Sequence, residues 1–383
     1  MIVKIGDVIS EYSVRNKFDE NIPVYSVTNE KGFCTGYFSK EVASKDKSTY
    51  KIVPRGYFAY NPSRINVGSV DWQKYEDRVI VSPLYVVFGV SDRLDRQYLL
   101  HYLKSDMMLS FIKEYATGSV RDNLKLADLG KFPINLRPVE EQRQIAATLD
   151  KIDELIAKRR QQLDKLDELV KSRFIEMFGV YPANPMGWEI GTIRDIVTEV
   201  RYGSSRPAVD GGKYPYLRMN NITYGGELDL SDTKRIDIPD NELDKCTVRR
   251  GDILFNRTNS KELVGKTCVY DRDEMMVLAG FVIRIRVKDR ILPEFLSAFL
   301  NTDFSKQMLL GMCKTAIGQA NINAQELQNI GLYLPPVELQ RRFVQFKKET
   351  DKSKYYSSLS SQCYRKAVNT YRQEWIKCQT SNF

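Results

Sequence analysis

One histidine and six scattered cysteines are all that this 383-residue chain offers for nucleophile–base or zinc chemistry. A catalytic triad needs a histidine beside a nucleophile, and structural zinc needs clustered cysteine and histidine ligands. His101 lies on an apolar helical stretch, which favours a packed or surface histidine over a catalytic one. The cysteines form no Cys-x-x-Cys pair, so we interpret them as free thiols in a cytosolic chain and expect no bound metal.

Long apolar runs and targeting signals are also missing from the sequence. No stretch approaches the ~18–20 apolar residues that a membrane span requires. The first residues, Met1–Asp7, show no signal-peptide pattern. We therefore expect a cytoplasmic protein without a membrane partner.

Nucleotide and metal motifs are incomplete. Gly265–Thr267 has the end of a phosphate-binding loop, but Ser260 stands where the first glycine is required, and β-like residues follow in place of a helix. Asp240, Glu242 and Lys245 hint at a nuclease cluster, yet they are too close along the chain to place a metal between strands. Neither pattern supports a site on this chain.

Two segments resemble part of an amino-methyltransferase motif. Asn61–Arg64 and Ser82–Tyr85 each lack one residue of the Asn/Asp/Ser-Pro-Pro-aromatic pattern. No glycine-rich cofactor loop follows a strand near the N-terminus. Both segments are better interpreted as turns.

The composition is that of an ordinary folded protein with a basic surplus. Hydrophobic residues make up 42%, charged residues 28%, and the net charge is +9. The surplus favours a polyanionic partner, although a solvated basic surface would give the same balance.

The strongest feature is an internal repeat. Residues 138–143 are Pro-Val-Glu-Glu-Gln-Arg, and residues 336–341 are Pro-Val-Glu-Leu-Gln-Arg, an offset of 198. Further matches occur in the same order at offsets of 195 to 198 and pair residues 55–61 with 250–256, 98–103 with 295–300, and 123–129 with 321–327. A repeat of this length indicates a duplicated unit.

The repeat predicts four segments. Each half begins with short β-like runs and turns, includes one helix (Asp95–Glu114 in the first half), and ends in a long helical stretch. We predict an α/β (α+β) fold with two pseudo-symmetric globular domains separated by two long antiparallel coiled-coil helices. The predicted boundaries are 1–137, 138–187, 188–335 and 336–383.

A heptad seam defines the first long helix. Its apolar positions follow alternating four- and three-residue steps over nearly four heptads, with Arg159 at the single exception: Ile145, Leu149, Ile152, Ile156, Leu163, Leu166 and Val170. About 40 helical residues make a rod of about 60 Å, which needs a partner to cover its stripe. The natural partner is the second stretch, 336–377, whose middle is polar. A short helix with a frayed, serine-rich end remains the alternative for that stretch.

Polar loops follow equivalent strands in both halves. Arginine suits guanine edges, asparagine suits adenine, and serine or threonine suits either, although the same residues also form turns. As a set they predict DNA contact by Thr28, Asn29, Lys31, Asn61, Ser63, Arg64, Asn66, Ser119, Arg121, Tyr202, Ser204, Ser205, Arg206, Arg218, Asn220, Asn221, Asn256, Arg257, Thr258, Asn259, Lys261 and Gln319.

Together these segments resemble the specificity (S) subunit of type I restriction–modification systems, over essentially the whole chain. The resemblance is carried by the two Pro-Val-Glu-x-Gln-Arg segments, the Arg-Gly-hydrophobic strands at 55–61 and 250–256, Val27–Gly32, and Tyr60–Gly68. The polar second rod and the divergence between the halves depart from the pattern. The divergence leaves the target of each half open.

The resemblance implies a subunit without catalytic activity in a bacterial or archaeal cytoplasm. Two target-recognition domains would each read one half of a split, asymmetric site in double-stranded DNA. The helices would space the domains and dock two modification subunits, with Glu140, Gln142, Arg143, Glu338, Gln340 and Arg341 as docking residues. Those subunits would bring S-adenosylmethionine to methylate adenine, and two restriction subunits would bring ATP and Mg²⁺ for cleavage. The alternatives are a self-contained DNA methyltransferase or nuclease, and a structural coiled-coil adaptor.

Overall fold

The computed structural model describes residues 1–36, 46–117, 123–316 and 319–356, with only the backbone of residues 116, 117, 314–316 and 319. These residues form two compact units, Met1–Arg159 and 160–356. No helix in the described part of the chain is both long and apolar enough to cross a membrane.

The first unit contains ten short strands and three short helices. The strands are β1 (Ile2–Lys4), β2 (Ile9–Glu11), β3 (Ser26–Thr28), β4 (Gly32–Cys34), β5 (Lys51–Pro54), β6 (Phe58–Tyr60), β7 (Val70–Trp72), β8 (Arg78–Val81), β9 (Val86–Val90) and β10 (Pro133–Asn135). The helices are α1 (Arg96–Leu103), α2 (Asp106–Thr117) and α3 (Leu126–Leu129), and the long helix α4 (Val139–Phe178) follows.

The second unit contains thirteen strands. They are β11 (Glu189–Thr192), β12 (Val197–Tyr202), β13 (Tyr214–Leu217), β14 (Lys234–Ile236), β15 (Thr247–Val248), β16 (Ile253–Asn256), β17 (Thr258–Asn259), β18 (Thr267–Val269), β19 (Met276–Leu278), β20 (Val282–Val287), β21 (Lys314–Ala316), β22 (Gln319–Asn321) and β23 (Gly331–Leu334). The helices are α5 (Ile193–Ile196), α6 (Asp240–Cys246), α7 (Pro293–Leu300), α8 (Asp303–Met312), α9 (Ala324–Gln328) and α10 (337–356).

The two units share one strand topology, which confirms the duplication. In the first unit an antiparallel sheet has the order β2-β9-β6-β7, and in the second the order is β12-β20-β16-β18. Each unit also pairs its first strand with its last, β1 with β10 and β11 with β23. The buried faces of each sheet pack on the helix pair that follows, α1–α2 or α7–α8.

The units differ in their outer layers. In the second unit β13 and β14 extend the antiparallel pair β15–β19 to a four-stranded sheet, and β17, β22 and β21 form a three-stranded sheet. The first unit has two-stranded sheets, β3-β4 and β5-β8. The first unit's pair β5–β8 occupies the place of β15–β19, so the units share this pair and differ in the strands around it. The shared frame and the unlike outer strands agree with the divergence that the sequence shows between the halves.

The predicted single helix Asp95–Glu114 is wrong: the structure has α1 and α2 with a break between them. Ser105 causes the break, because its hydroxyl donates to the Tyr102 carbonyl at 2.7 Å and accepts from the Met108 amide at 3.3 Å. The second unit breaks at the same place, where Thr302 caps α8. A capping hydroxyl can separate two helices while the apolar residues on both sides keep their helical spacing. The spacing therefore does not reveal the break.

Helix α4 runs unbroken for 40 residues, and the predicted seam is its less exposed stripe. Leu149 is fully buried in the core of the first unit, whereas Leu155 on the outer face is half exposed. Farther along, Phe174 and Phe178 are buried in the core of the second unit. The heptad prediction for α4 is therefore confirmed.

Within the second unit, α10 packs antiparallel to the end of α4. Phe343 lies 5.2 Å from Phe174 between ring centroids, and farther along α10, Lys354 forms an ion pair with Asp167. Thr350, one of the polar positions in the predicted second seam, is 7% exposed and bonds back to its own helix. The polar middle of this rod is thus compatible with helix pairing, and its predicted continuation to 377 lies outside the described residues.

Candidate nucleic-acid interface

The central sheet of the second unit is β12-β20-β16-β18, and the polar loops of the unit leave this sheet at one end. β12 and β16 both run antiparallel to β20, so their C-terminal ends meet the start of β20. The loops after Tyr202 and after Asn256 therefore emerge on either side of the start of β20. Main-chain bonds hold them there, from Arg257 to the Phe281 carbonyl at 3.0 Å and from Gly280 to the Ser204 carbonyl at 2.7 Å.

Arg257 is the best positioned polar side chain at this end. Its guanidinium lies 4.8 Å from the centroid of the Tyr202 ring. The Tyr202 hydroxyl accepts a hydrogen bond from the Ala324 amide at 2.8 Å, which fixes the ring. Stacking on a held ring presets the planar fork of an arginine and reduces the entropy lost on binding.

Asn256 and Thr258 flank Arg257 but are buried. Asn256 is fully buried, and among the described residues neither its Oδ1 nor its Nδ2 has a hydrogen-bond partner. Thr258 donates to Asn321 Oδ1 at 3.2 Å, within the pairing of β17 with β22. Asn259 accepts from the Ser260 amide at 2.9 Å, and Lys261 is exposed beyond it.

The loop that follows Tyr202 is partly committed to internal contacts. Ser204 is buried and accepts from the Arg206 amide at 3.2 Å, while Ser205 is exposed. Arg206 pairs with Glu242 at 2.7 Å. The hydrogen bond between the two raises the pKa of Arg206 and lowers the pKa of Glu242.

The segment 218–221 reaches the same end through a buried lysine. Lys266 Nζ donates to the Met219 carbonyl at 2.9 Å, and burial lowers the pKa of Lys266. Asn221 is buried and bonds to the carbonyls of its own loop. Arg218 pairs with Asp232 at 2.9 Å, whereas Asn220 is exposed.

In the first unit two predicted loops meet around Ser69. The Asn61 amide donates to the Ser69 carbonyl at 3.2 Å, and the Ser69 hydroxyl donates to the Val27 carbonyl at 2.6 Å. Thr28 is buried and accepts from the Lys31 amide at 3.0 Å. The loops that begin at Thr28 and at Asn61 are therefore neighbours.

The side chains available at this end of the first unit are those of the loop tips. Asn61 accepts from the Ser63 amide and hydroxyl, which shapes the turn. The exposed members are Asn29, Lys31, Ser63 and Arg64, and Asn66 is half exposed. Ser119 and Arg121 lie outside the described residues, as does the side chain of Gln319.

The structure thus divides the predicted contact residues into two groups by exposure, and DNA contact by them stays a prediction. The exposed or half-exposed group contains Asn29, Lys31, Asn61, Ser63, Arg64, Asn66, Tyr202, Ser205, Arg206, Arg218, Asn220, Arg257, Asn259 and Lys261. The buried group contains Thr28, Ser204, Asn221, Asn256 and Thr258.

One candidate was missed from the sequence. Phe281 is 52% exposed at the start of β20, and its carbonyl accepts from Arg257. In the first unit Leu84 occupies the matching turn before β9 and is 78% exposed. Exposed apolar side chains beside basic ones can contact bases or wedge between base steps. In the sequence Phe281 is only an apolar residue in a turn, and this does not indicate whether its side chain is exposed.

The motifs that suggested enzyme chemistry have structural roles. The Gly265 carbonyl accepts from Lys306 and from Thr267, and strand β18 follows in place of a helix. His101 Nε2 lies 2.8 Å from Asp150 Oδ1. The described residues contain no group of three or more histidine, cysteine or acidic side chains placed to hold a metal, and their four cysteines are free.

The six predicted docking residues also divide by exposure. Gln142 is fully buried: its Oε1 accepts from the Asp95 amide, and its Nε2 donates to the carbonyls of Arg93 and Arg137. Gln340 makes the equivalent bonds in the second unit to Leu292, Arg290 and Pro335. Both glutamines thus have internal roles.

The four charged members, Glu140, Arg143, Glu338 and Arg341, are exposed by 64–74% of their side chains. Docking by these residues stays a prediction.

Comparison with known proteins identifies the class. Residues 2–168 and 185–354 match the type I restriction modification DNA specificity domain, so the chain belongs to this family and contains its domain twice.

Two curated relatives extend the match. The specificity subunit of the EcoKI type I restriction enzyme of Escherichia coli is 25% identical over 265 residues, 64% of this chain and 56% of that protein. A putative MjaX specificity subunit of Methanocaldococcus jannaschii is 28% identical over 171 residues, 44% of this chain and 40% of that protein. The matches thus span about half the length of these relatives.

A solved structure of a type I restriction–modification system contains a chain of the same fold. The two agree with a TM-score of 0.59 at 18% identity, covering 98% of this chain and 96% of that one.

Proposed function

We propose that this chain is the DNA specificity subunit of a type I restriction–modification complex. The observation that carries the proposal is the pair of equivalent sheets whose polar ends differ in sequence. Because the two sheets are equivalent, they would present the same frame to two identical partner subunits. Because their polar ends differ, each would recognise a different DNA half-site. The target would then be split and asymmetric.

Each unit would use the polar end of its central sheet to contact the duplex. Exposed lysines and arginines would contact phosphate and set the position, and a few side chains would contact base edges. In the second unit Arg257, stacked on Tyr202, is the residue best prepared for a bidentate contact with guanine. In the first unit Arg64 and Asn66 offer the corresponding chemistry at the tip of the loop after β6.

The long helix α4 would act as the spacer, with α10 packed on its end. Glu140, Arg143, Glu338 and Arg341 would contact two modification subunits, with Gln142 and Gln340 fixing the helix starts from within. S-adenosylmethionine would be bound by the modification subunits, and ATP with Mg²⁺ by two restriction subunits. The chain itself would supply recognition without catalysis, in the cytoplasm of a bacterial or archaeal cell.

The test compares Arg257→Ala with Arg272→Ala in the purified chain assembled with its modification subunits. Arg272 is an exposed arginine beyond the far end of the same sheet, after β18, and serves as the matched control. Methylation is measured on duplexes that vary one half-site at a time. We expect Arg257→Ala to lose about 1–3 kcal/mol of discrimination at one position in one half-site. Arg272→Ala should behave like the wild type.

Two outcomes would contradict this account. An equal loss on all sequences would make Arg257 a phosphate contact. Methylation by the purified chain without a modification subunit would instead favour a self-contained methyltransferase.

A further inference from the structure

A cavity of about 320 Å³ lies inside the second unit. Its walls come from the end of α4, from α10, from α7 and α8, and from the loop at Tyr224. Phe174 and Phe343, both buried, form an apolar floor. The volume suits a small organic molecule.

Most of the charges around the cavity are already paired. Lys171 bonds to Asp303 at 2.9 Å, and Lys354 pairs with Asp167 and lies 3.9 Å from Glu227. Lys347 pairs with Asp351, outside the lining. The lining therefore has three carboxylates, which lie beside Lys171 or Lys354, and two further lysines, of which Lys347 pairs outside the lining. Lys306 is the lysine that remains.

Lys306 lies on α8. Its ammonium donates to the Gly265 carbonyl at 2.7 Å and lies 5.7 Å from the centroid of the Tyr224 ring. Burial, and then the charges of Lys171 and Lys266, lower the pKa of Lys306 to about 7. A buried cation among other cations is stabilised by an anion that enters the same space.

We propose that this cavity binds a small organic anion, with one phosphate or carboxylate group at Lys306 and Lys171 and an apolar body against Phe174 and Phe343. The apolar floor of Phe174 and Phe343 would contact the apolar body of the anion. Lys306, whose charge is uncompensated, would contact its charged group. Because α4 and α10 form two of the walls, an occupant would also stabilise their packing on the unit.

The test measures binding of three probes to the purified full chain by calorimetry: phenyl phosphate, inorganic phosphate and phenol. Phenyl phosphate should bind saturably and more tightly than either part alone. Lys306→Met should weaken it about ten- to hundredfold, the usual contribution of a hydrogen bond to a charged group. Lys352→Met removes an exposed lysine from α10 outside the cavity and should leave the affinity unchanged.

A second variant tests the apolar part of the site without changing Lys306. Ala298 lines the cavity from α7, and Ala298→Leu fills space without changing any charge. It should also weaken phenyl phosphate. Absence of saturable binding by the wild type, or unchanged affinity in both variants, would overturn the proposal.

Binding should also weaken as the pH rises from 7 to 9. Phenyl phosphate keeps its charge in this range, whereas Lys306 loses its proton. The charged groups that face Lys306 are Lys171, Lys266, Lys347 and Lys354 with their neighbouring carboxylates Asp303, Asp167 and Glu227. Affinity that is constant across this range would exclude Lys306 as the anion contact.

Discussion

Gln142 and Gln340 show how a single side chain can join two elements. Each lies one turn into a long helix, and each bonds to one amide and two carbonyls of the chain before that helix. A glutamine amide can donate twice and accept twice, so the side chain satisfies these groups in a place that water does not reach. The repeated Gln in the Pro-Val-Glu-x-Gln-Arg segment therefore has a folding role in both units.

Gln340→Leu should destabilise the chain by about 1–3 kcal/mol or more, because three buried main-chain groups lose their hydrogen-bond partner. Denaturation by urea gives the free energy of unfolding. Glu338→Leu, a change at an exposed side chain two residues away, should stay within about 0.5 kcal/mol of the wild type. A Gln340→Leu variant with wild-type stability but defective partner binding would show that the docking prediction is the better one.

Lys306 should lower the stability of the chain near neutral pH. Between its pKa of about 7 in the folded chain and its ordinary value of 10.5, the unfolded chain binds one proton more. Stability contributed by this group therefore rises with pH across that window. Lys306→Met should be more stable than the wild type at pH 7, and the difference should vanish towards pH 10.5. Thermal unfolding at several pH values measures it, with Lys352→Met as the control, and a difference independent of pH would contradict the account.

At the residue scale the sequence predicted the chemical type of the side chains in the polar loops better than it predicted their exposure. The residue types Asn, Ser and Thr predict contact residues, and the structure buries Asn221, Asn256 and Thr258 while leaving Asn220 and Asn259 accessible. The same side chains satisfy main-chain groups in turns and contact DNA on surfaces. Sequence alone does not separate the two uses, because burial depends on strands that are distant along the chain.

The long helix is the element that the sequence predicted best. Its seam repeats over several heptads, and no glycine or proline interrupts the 40 residues. The break between α1 and α2 was not predicted, because one serine cap acts within a continuous apolar spacing. The sequence predicted the pairing of α10 with α4 only because a long helix needs a partner to cover its stripe. It did not predict the contact between Lys354 and Asp167, because these residues are distant along the chain.

If α4 spaces the half-sites, shortening it should shorten the target. Deleting residues 153–159 removes one heptad, keeps the seam in phase, and shortens the helix by about 10 Å. That length corresponds to about three base pairs. Methylation of a library of duplexes with different spacers should shift to shorter spacers by about that amount. An unchanged preference would show that α4 does not set the spacing.

For the whole molecule, the duplication is the feature from which both architecture and function follow. The topology β2-β9-β6-β7 recurs as β12-β20-β16-β18, although the loops and outer sheets differ. The matching segments in the sequence predicted this frame. The outer strands of the second unit were not predicted, because they are only two to four residues long.

The central claim is that this chain selects an asymmetric, two-part DNA target for a methyltransferase. Mapping methylated adenines across the genome of cells with and without the chain tests it most directly. The account predicts one split sequence motif, with two unlike halves, that is methylated only when the chain is present. A methylation pattern that does not change when the chain is removed would contradict it.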